Sequence, residues 1–275
     1  MRKNTLYVTD MDGTLLDNNS RVSCESAELI AEMSEEGALI TVATARTPAT
    51  VDPLLSVTHI NCPAIVITGA AMWDTRLKVM NHVEKMTATT AGEIIDRFRD
   101  NGVDPFVYVV VNPSHLEVYH GTEMNHAEES FYLERKSLKL KRFLLGHAMT
   151  QEAGENVILI FGIGDSGKVI KLADDLKANV DCSVSCYPDI HFPGTHLIEV
   201  FKTGVSKAQA VERLAQELGV ERIVVFGDNL NDLPMMKVAD VAVAVENAFP
   251  EVKEAADIVI GSNAAHSVAR FIRED

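Results

Sequence analysis

Short apolar runs alternate with helix-type patterns over the first 70 residues of the chain. Residues 6–8, 38–43 and 64–67 are predominantly apolar. A helical pattern with Ser23 at its N-cap follows the first run and stops at Gly37. Apolar runs of strand length without a polar face are typical of parallel strands that helices cover on both sides. Each run ends in a polar or glycine-bearing turn, so the pattern predicts an α/β fold with polar groups along one edge of a parallel sheet, where open α/β sheets bind ligands.

The middle of the chain has a different pattern from its two ends. Residues 82–191 contain alternating and charged segments, which predict an α+β module. The first pattern returns after Pro193, where residues 197–201 form another apolar run. We therefore expect one discontinuous core domain, residues 1–81 and 192–275, and one domain inserted into it, residues 82–191.

The chain is acidic, which narrows the classes of partner. It has 275 residues, of which 47% are hydrophobic, and 25 Lys and Arg against 40 Asp and Glu give a net charge of −15. Binding to nucleic acid or to anionic lipid needs a basic face, so neither partner is expected. Four scattered cysteines and the lack of a signal-type or bilayer-length apolar run predict a cytoplasmic protein, as a monomer or small homo-oligomer. A small anionic substrate stays compatible with this charge if a local cation or dipole reverses its sign.

Two carboxylates follow the end of the first apolar run. Asp10 and Asp12 precede Gly13, and no basic residue lies between Lys3 and Arg21 to pair with them. Like charges so close are unfavourable unless a cation binds there or one carboxyl is protonated. A glycine turn rich in free N–H groups would suit a phosphoryl group. The alternative is an aspartate-rich turn held by Asx hydrogen bonds.

A second acidic group follows the apolar run at residues 223–226. Asp228 and Asp232 have Asn231 between them, and the next basic residue along the chain is Lys237. Oxygen donors of this type suit a hard cation such as Mg²⁺, which keeps several waters and shares a substrate phosphate. This group therefore predicts a magnesium site.

Two single residues complete a set of groups for phosphoryl transfer. Thr44 ends the second run and offers a hydroxyl donor, and Lys207 begins a helix after a glycine turn and offers a point charge. The alternatives are a helix cap for Thr44 and a solvated surface lysine for Lys207. A nucleophile, a metal cage, a hydroxyl donor and a cation at neighbouring strand ends are what phosphoryl transfer requires.

These groups occur in the order of four motifs of a known family. The chain resembles the haloacid dehalogenase (HAD) superfamily at residues 10–15, residues 44–46, Lys207 and residues 227–232. The insert between the second and third motifs resembles the C2-type cap of the Cof-type branch. The resemblance implies a Rossmann-like parallel-sheet core with an inserted α+β C2-type cap domain.

Two further turns resemble the family with one departure each. Residues 68–70 resemble its Asn-Gly-Ala turn, but Thr68 stands in the place of Asn. Residues 246–248 resemble its Gly-Asn-Ala turn, but Glu246 stands in the place of Gly. These departures bear on loop shape or substrate contacts.

The resemblance also implies a role for each motif residue. Asp10 would attack phosphorus and carry an aspartyl-phosphate intermediate. Asp12 would protonate the leaving alcohol and then take the proton of the attacking water. Thr44 and Lys207 would hold the transferring oxygens. Contacts to the substrate are expected from Arg46, Gly13 and Ala45.

The same resemblance implies how Mg²⁺ is held. Asp10, the main-chain carbonyl of Asp12, and Asp228 would be its ligands. Asn231 and Asp232 would lie in its water shell or on the lysine.

These expectations favour a Mg²⁺-dependent phosphatase acting on a small phosphorylated metabolite such as a sugar phosphate. A phosphotransferase or phosphosugar mutase would use the same intermediate, with a sugar hydroxyl in place of water. An NAD-dependent oxidoreductase would rest only on Gly162, Gly164 and Gly167, and Asp165 in that loop would repel a pyrophosphate. A non-catalytic phosphate-sensing module is disfavoured because every catalytic position is filled.

Overall fold

The computed structural model describes residues 3–275. The strands are β1 (Thr5–Thr9), β2 (Leu39–Val42), β3 (Ala64–Val66), β4 (Ala71–Asp74), β5 (Val79–Asn81), β6 (Phe106–Asn112), β7 (His115–His120), β8 (Lys141–Leu145), β9 (Val157–Asp165), β10 (Cys182–Pro188), β11 (Thr195–Lys202), β12 (Arg222–Gly227), β13 (Val241–Val245) and β14 (Ile258–Ile260). The helices are α1 (Cys24–Glu35), α2 (Pro48–Leu55), α3 (Ala88–Asp100), α4 (His126–Arg135), α5 (Gln151–Gly154), α6 (Ser166–Asn179), α7 (Lys207–Leu218), α8 (Leu233–Met236), α9 (Pro250–Ala255) and α10 (Ser267–Glu274). Among the helices of residues 3–275, none has the length and apolar character that crossing a bilayer requires.

The first compact unit is built on a five-stranded parallel sheet in the order β14-β13-β12-β1-β2. Every residue of β1 is buried, as expected for a central strand covered on both faces. Thr9, the last residue of β1, lies in register with Phe226 of β12 and Val42 of β2. The carboxyl ends of these three strands therefore lie side by side. The predicted parallel-sheet α/β fold is confirmed.

The third apolar run extends this sheet less than the sequence predicts. β3 meets the parallel sheet through a single bridge between Ala43 and Ile65. It then pairs antiparallel with β4, which pairs with β5. The reason is the turn Ile67–Gly69, whose three residues all have positive φ and reverse the chain directly into β4.

The second unit is built on a six-stranded sheet in the order β10-β11-β9-β6-β7-β8. Its neighbouring strands are antiparallel except for β7 and β8. A core of apolar side chains from α3, α6 and the sheet includes Ile94, Phe98, Ile160 and Leu172, all fully buried. This unit has the α+β composition that the sequence predicts for the insert.

The second domain boundary differs from the expected one. The two compact units comprise the chain up to Asn81 together with Ser206–Asp275, and His82–Val205. The predicted return to the core at residue 192 is therefore wrong, because β11 pairs with β9 and β10 of the inserted unit. An apolar run reveals that a strand is buried, but it does not reveal which sheet the strand joins.

The glycines of the inserted unit do not form a phosphate loop. Gly162 and Gly164 lie inside β9, and Gly167 lies in the first turn of α6. A Cβ at Gly162 would lie 2.7 Å from a ring carbon of Phe98, so this glycine permits close packing. The dinucleotide-binding alternative loses its basis, because β9 is antiparallel to both its neighbours and begins no βαβ unit.

Lys141 of β8 is buried without an acidic partner among the described residues. The residue is 5% exposed, and its Nζ lies 5.3 Å from the ring centre of Phe143 and 5.8 Å from that of Tyr108. Burial, with a contribution from Arg135, lowers the pKa of Lys141 to about 7. The folded chain therefore holds a proton on Lys141 less readily than the unfolded chain, whose lysines titrate near 10.4.

We predict that Lys141→Met stabilises the protein by about 1–2 kcal/mol at pH 6, because it removes an unpaired buried charge. Between about pH 7 and 10 the unfolded chain binds this proton and the folded chain does not. The contribution of Lys141 to the free energy of unfolding of the wild-type protein therefore rises with pH. The advantage of the variant therefore shrinks over that range. Urea unfolding at pH 6, 7 and 9 measures it, with the exposed Lys139→Met as control. A destabilised Lys141→Met, or an advantage that does not change with pH, would contradict the prediction.

Candidate active site

The carboxyl ends of β1, β2 and β12 bring the predicted motif residues to one edge of the parallel sheet. Asp10 directly follows β1, and its N–H donates to Phe226 O at 2.9 Å. Thr44 follows β2, and Asp228 follows β12. Lys207 reaches this edge from the first turn of α7, which Ser206 caps by accepting the N–H of Gln209. The site therefore depends on the strand order of the sheet.

Lys207 joins two of the carboxylates. Its Nζ donates to Asp10 Oδ1 at 2.5 Å and to Asp232 Oδ1 at 2.8 Å. The Lys207 side chain is only 2% exposed, which excludes the alternative of a solvated surface lysine. Burial alone lowers the pKa of an ammonium, but the two carboxylates outweigh it and raise the pKa of Lys207 above its ordinary value. Lys207 is therefore a permanently charged group that orients Asp10.

Two residues of the first motif, Gly13 and Thr14, lie against the side chain of Asp228. The Thr14 hydroxyl donates to Asp228 Oδ1 at 2.7 Å. Gly13 has φ +80°, and a Cβ there would lie 2.4 Å from Asp228 Oδ2. A side chain at this position would strain the backbone and displace the Asp228 carboxylate. Gly13 is thus needed for close approach within the site.

Three carboxylates at this edge have the arrangement of a cation site. Asp10, Asp228 and Asp232 each offer a ligand atom, and these atoms lie within 4.8 Å of one another. Burial raises the pKa of Asp10 to about 8, against the lowering effect of Lys207. Burial also raises the pKa of Asp228 to about 6, although the Thr14 hydrogen bond lowers it. One ammonium does not balance three carboxylates, so the cluster fits a divalent cation with a preference for oxygen ligands, such as Mg²⁺.

Asp232 is already committed to hydrogen bonds within the protein. It is fully buried, and its Oδ2 accepts the N–H groups of Asp228 and Asn229 at 3.1 Å each. Its Oδ1 accepts Lys207. Asp232 therefore fits the expected role of a partner of Lys207 better than the role of a metal ligand. Asn231 is exposed, and its side chain makes no hydrogen bond with the residues that the structure describes.

The Asp12 carboxylate lies outside the acidic cluster and binds Arg46. Arg46 Nε donates to Asp12 Oδ2 at 2.7 Å, and Nη2 donates to Oδ1 at 2.5 Å. The hydrogen bonding to Asp12 raises the pKa of Arg46 above its ordinary value. The Asp12 side chain is 54% exposed, so this ion pair is accessible to solvent. The sequence predicted both residues for the site, but it did not predict that they bind each other.

Thr44 has a hydroxyl proton that is available for a ligand. Its Oγ1 accepts the N–H of Arg46 at 3.2 Å, which leaves the hydroxyl hydrogen free to donate. The alternative that Thr44 caps a helix is wrong, because α2 begins at Pro48 with Thr47 at its N-cap. Ala45 lies between Thr44 and Arg46 and is partly exposed.

Two asparagines support the first motif from the far end of the chain. Asn247 Nδ2 donates to Gly13 O at 2.7 Å, and the N–H of Asn263 donates to Asn247 Oδ1 at 3.0 Å. Asn263 Nδ2 donates to Leu16 O at 2.8 Å. The turn of Asn247 was singled out by its resemblance to the family. Asn263 was missed, because no local pattern marks a contact between residues 247 positions apart.

Comparison with known proteins agrees with this geometry. Residues 7–272 match the family model of haloacid dehalogenase-like hydrolases. The chain is 28% identical to the 5-amino-6-(5-phospho-D-ribitylamino)uracil phosphatase YwtE of Bacillus subtilis, with 96% of this chain and 95% of that protein covered. It is 23% identical to the pyridoxal phosphate phosphatase YbhA of Escherichia coli, with 96% and 95% covered.

Solved structures show the same fold. A haloacid dehalogenase-like hydrolase from Bacteroides thetaiotaomicron matches with a TM-score of 0.80 at 22% identity, with 98% of each chain covered. The HAD subclass IIB sugar phosphatase BT4131 matches with a TM-score of 0.74 at 18% identity, again with 98% of each chain covered. The fold class and the Cof-type resemblance predicted from the motifs are confirmed, as is the class of enzyme, a phosphomonoester hydrolase. The chain belongs to the haloacid dehalogenase-like hydrolase family.

Proposed function

We propose that this protein is a Mg²⁺-dependent phosphatase that hydrolyses a small phosphorylated metabolite through an aspartyl-phosphate on Asp10. The observation that carries the proposal is the environment of the Asp10 carboxylate. The buried Lys207 Nζ donates to Asp10 Oδ1 at 2.5 Å, and a second carboxylate, that of Asp228, lies close to Asp10. A nucleophile, a cation and an oxygen cage in this arrangement suit phosphoryl transfer. The names of YwtE and YbhA, phosphatases of a ribitylaminouracil phosphate and of pyridoxal phosphate, support a phosphomonoester of small size.

Mg²⁺ would be held by carboxylate oxygens of Asp10 and Asp228 and by the main-chain carbonyl of Asp12. When bound, it would neutralise charge on the phosphoryl group and on the carboxylates. Asp232 would act through Lys207, because both its oxygens already accept hydrogen bonds from the protein.

Asp10 would attack phosphorus, and the bond from phosphorus to the leaving alcohol would break. Lys207 fixes the orientation of the Asp10 carboxylate through its hydrogen bond to Oδ1. The Thr44 hydroxyl would donate to an oxygen of the transferring group, which holds that group for in-line attack. Water would then attack the aspartyl-phosphate and release inorganic phosphate, with Asp10 restored.

Asp12 would carry the proton in both steps. It would give a proton to the leaving alcohol and later accept one from the attacking water. Both of its oxygens bind Arg46 in the structure, so proton donation requires this ion pair to open. Arg46 would then be free to contact the substrate, with the backbone of Gly13 and Ala45 beside it.

Measurement of the inorganic phosphate that is released tests this function and separates it from its alternatives. A phosphotransferase or mutase would pass the phosphoryl group to a sugar hydroxyl, whereas a phosphatase releases inorganic phosphate into water. A panel of phosphorylated metabolites would then identify the preferred substrate.

A reducing cytoplasmic location, expected from cysteines that are all free thiols, belongs to the same proposal.

We predict that Asp10→Asn lowers the turnover of p-nitrophenyl phosphate with Mg²⁺ by about four orders of magnitude or more, because the amide oxygen is a poor nucleophile. Steady-state release of p-nitrophenol measures it. Asp96→Asn makes the same change at an exposed position of the inserted unit and should retain wild-type turnover. Wild-type turnover in Asp10→Asn would overturn the mechanism.

We also predict that MgCl₂ raises the thermal unfolding midpoint of the wild-type protein, because the folded chain gathers three carboxylates that the unfolded chain disperses. At 100 times the dissociation constant, binding stabilises the fold by about 2.7 kcal/mol. Asp228→Asn should lose most of this shift, and Asp96→Asn should keep it. Differential scanning calorimetry with and without EDTA provides the measurement. An equal shift in Asp228→Asn would place the ion elsewhere.

A further inference from the structure

The turn between β3 and β4 concentrates several unfavourable features in three residues. Ile67, Thr68 and Gly69 have φ values of 51°, 55° and 95°. Positive φ is rare for any residue with a side chain, and for a β-branched residue it is a genuine outlier. The Thr68 Oγ1 is also buried without a hydrogen-bond partner in the described part of the chain. Such costs persist only where the surrounding structure fixes the conformation, and they cluster at functional sites.

One side of this turn holds the backbone of the second motif. The N–H of Thr68 donates to Thr44 O at 3.0 Å, and the N–H of Thr44 donates to Ile65 O at 3.0 Å. The N–H of Ile67 donates to Arg46 O at 2.9 Å. Both backbone groups of Thr44 are therefore fixed by the end of β3 and the turn that follows it. The direction of the Thr44 side chain depends on them.

The other side of the turn lies against the start of α7. A Cβ at Gly69 would lie 2.3 Å from Ser206 O and 2.8 Å from Ser206 C. These are backbone atoms, which cannot move aside as a flexible side chain can. Ser206 is the N-cap of α7, and the next residue is Lys207. A side chain at position 69 would therefore push Ser206, the residue directly before the one that carries the ammonium.

We propose that Ile67–Gly69 is a positioning turn that sets the Thr44 hydroxyl and the Lys207 ammonium in register for phosphoryl transfer. The proposal rests on the function proposed above, and it assigns the turn no contact with the substrate. Its residues act through their neighbours, Thr44 on one side and Ser206 on the other. The backbone strain is retained because a relaxed turn would not hold both neighbours at these distances.

Two glycine variants test the proposal against the cost of strain alone. Gly69→Ala places a Cβ against Ser206 at φ +95°, whereas Gly37→Ala has nearly the same φ, +94°, and no atom within 4 Å of the new Cβ. Both lose stability through positive φ. At saturating p-nitrophenyl phosphate and Mg²⁺, we expect kcat to fall about tenfold or more in Gly69→Ala and to stay within about twofold in Gly37→Ala, because a misplaced catalytic group costs about 100-fold per ångström. KM should change little.

Variants of Thr68 decide the matter if Gly69→Ala does not fold. Glycine adopts positive φ without strain but adds freedom to the turn, so Thr68→Gly should lower kcat several-fold while its unfolding midpoint stays near wild type. Thr68→Asn, which tolerates positive φ with less freedom, should recover much of that loss. A merely structural role would change the unfolding midpoint and leave kcat unchanged.

Wild-type kcat in Thr68→Gly and in folded Gly69→Ala would overturn the positioning role. An equal loss of kcat in Gly37→Ala would also overturn it, because strain alone would then explain the effect. If the wild-type protein hydrolyses no phosphomonoester, the proposed function fails, and a crystal structure of Gly69→Ala tests the positioning separately. The Lys207 Nζ to Asp10 Oδ1 distance should then exceed 2.5 Å, and an unchanged distance would contradict the proposal.

Discussion

The site depends on the ion pairs that the buried ammonium of Lys207 makes. The ammonium binds Asp10 and Asp232, and all three side chains are largely or fully buried. Breaking such a network by removing one partner leaves an uncompensated buried charge, which costs about 3–5 kcal/mol. The ammonium connects three separate segments of the chain, namely the end of β1, the loop after β12 and the start of α7. Misplacement of any of these segments alters the orientation of Asp10.

The same network explains how an acidic protein would accept an anionic substrate. The net charge of −15 repels phosphate at long range, and three carboxylates gathered around one ammonium make the local imbalance larger. A bound divalent cation would reverse the sign at this point and lower the cost of burying Asp10 and Asp228 in their charged forms. Acidity at this edge of the sheet is therefore a requirement for metal binding.

The sequence predicted those parts of the fold and site that depend on local pattern and on chain order. Apolar runs identified β1, β2 and β12, and their polar ends placed Asp10, Thr44 and Asp228 at one edge. The sequence assigned β11 to the wrong sheet, because apolar character shows burial but not pairing. It also missed the bidentate pair between Asp12 and Arg46 and the support from Asn263. These contacts join distant segments, and only the folded backbone determines them.

The proposed mechanism requires that Asp10 becomes covalently phosphorylated during turnover, which mass spectrometry of acid-quenched enzyme can detect. The wild-type protein, mixed with Mg²⁺ and a phosphomonoester and quenched during turnover, should gain the mass of one phosphoryl group. Peptide mapping should locate that group on Asp10. Sustained hydrolysis with no phosphorylated protein, or with the group on a residue other than Asp10, would rule out Asp10 as the nucleophile.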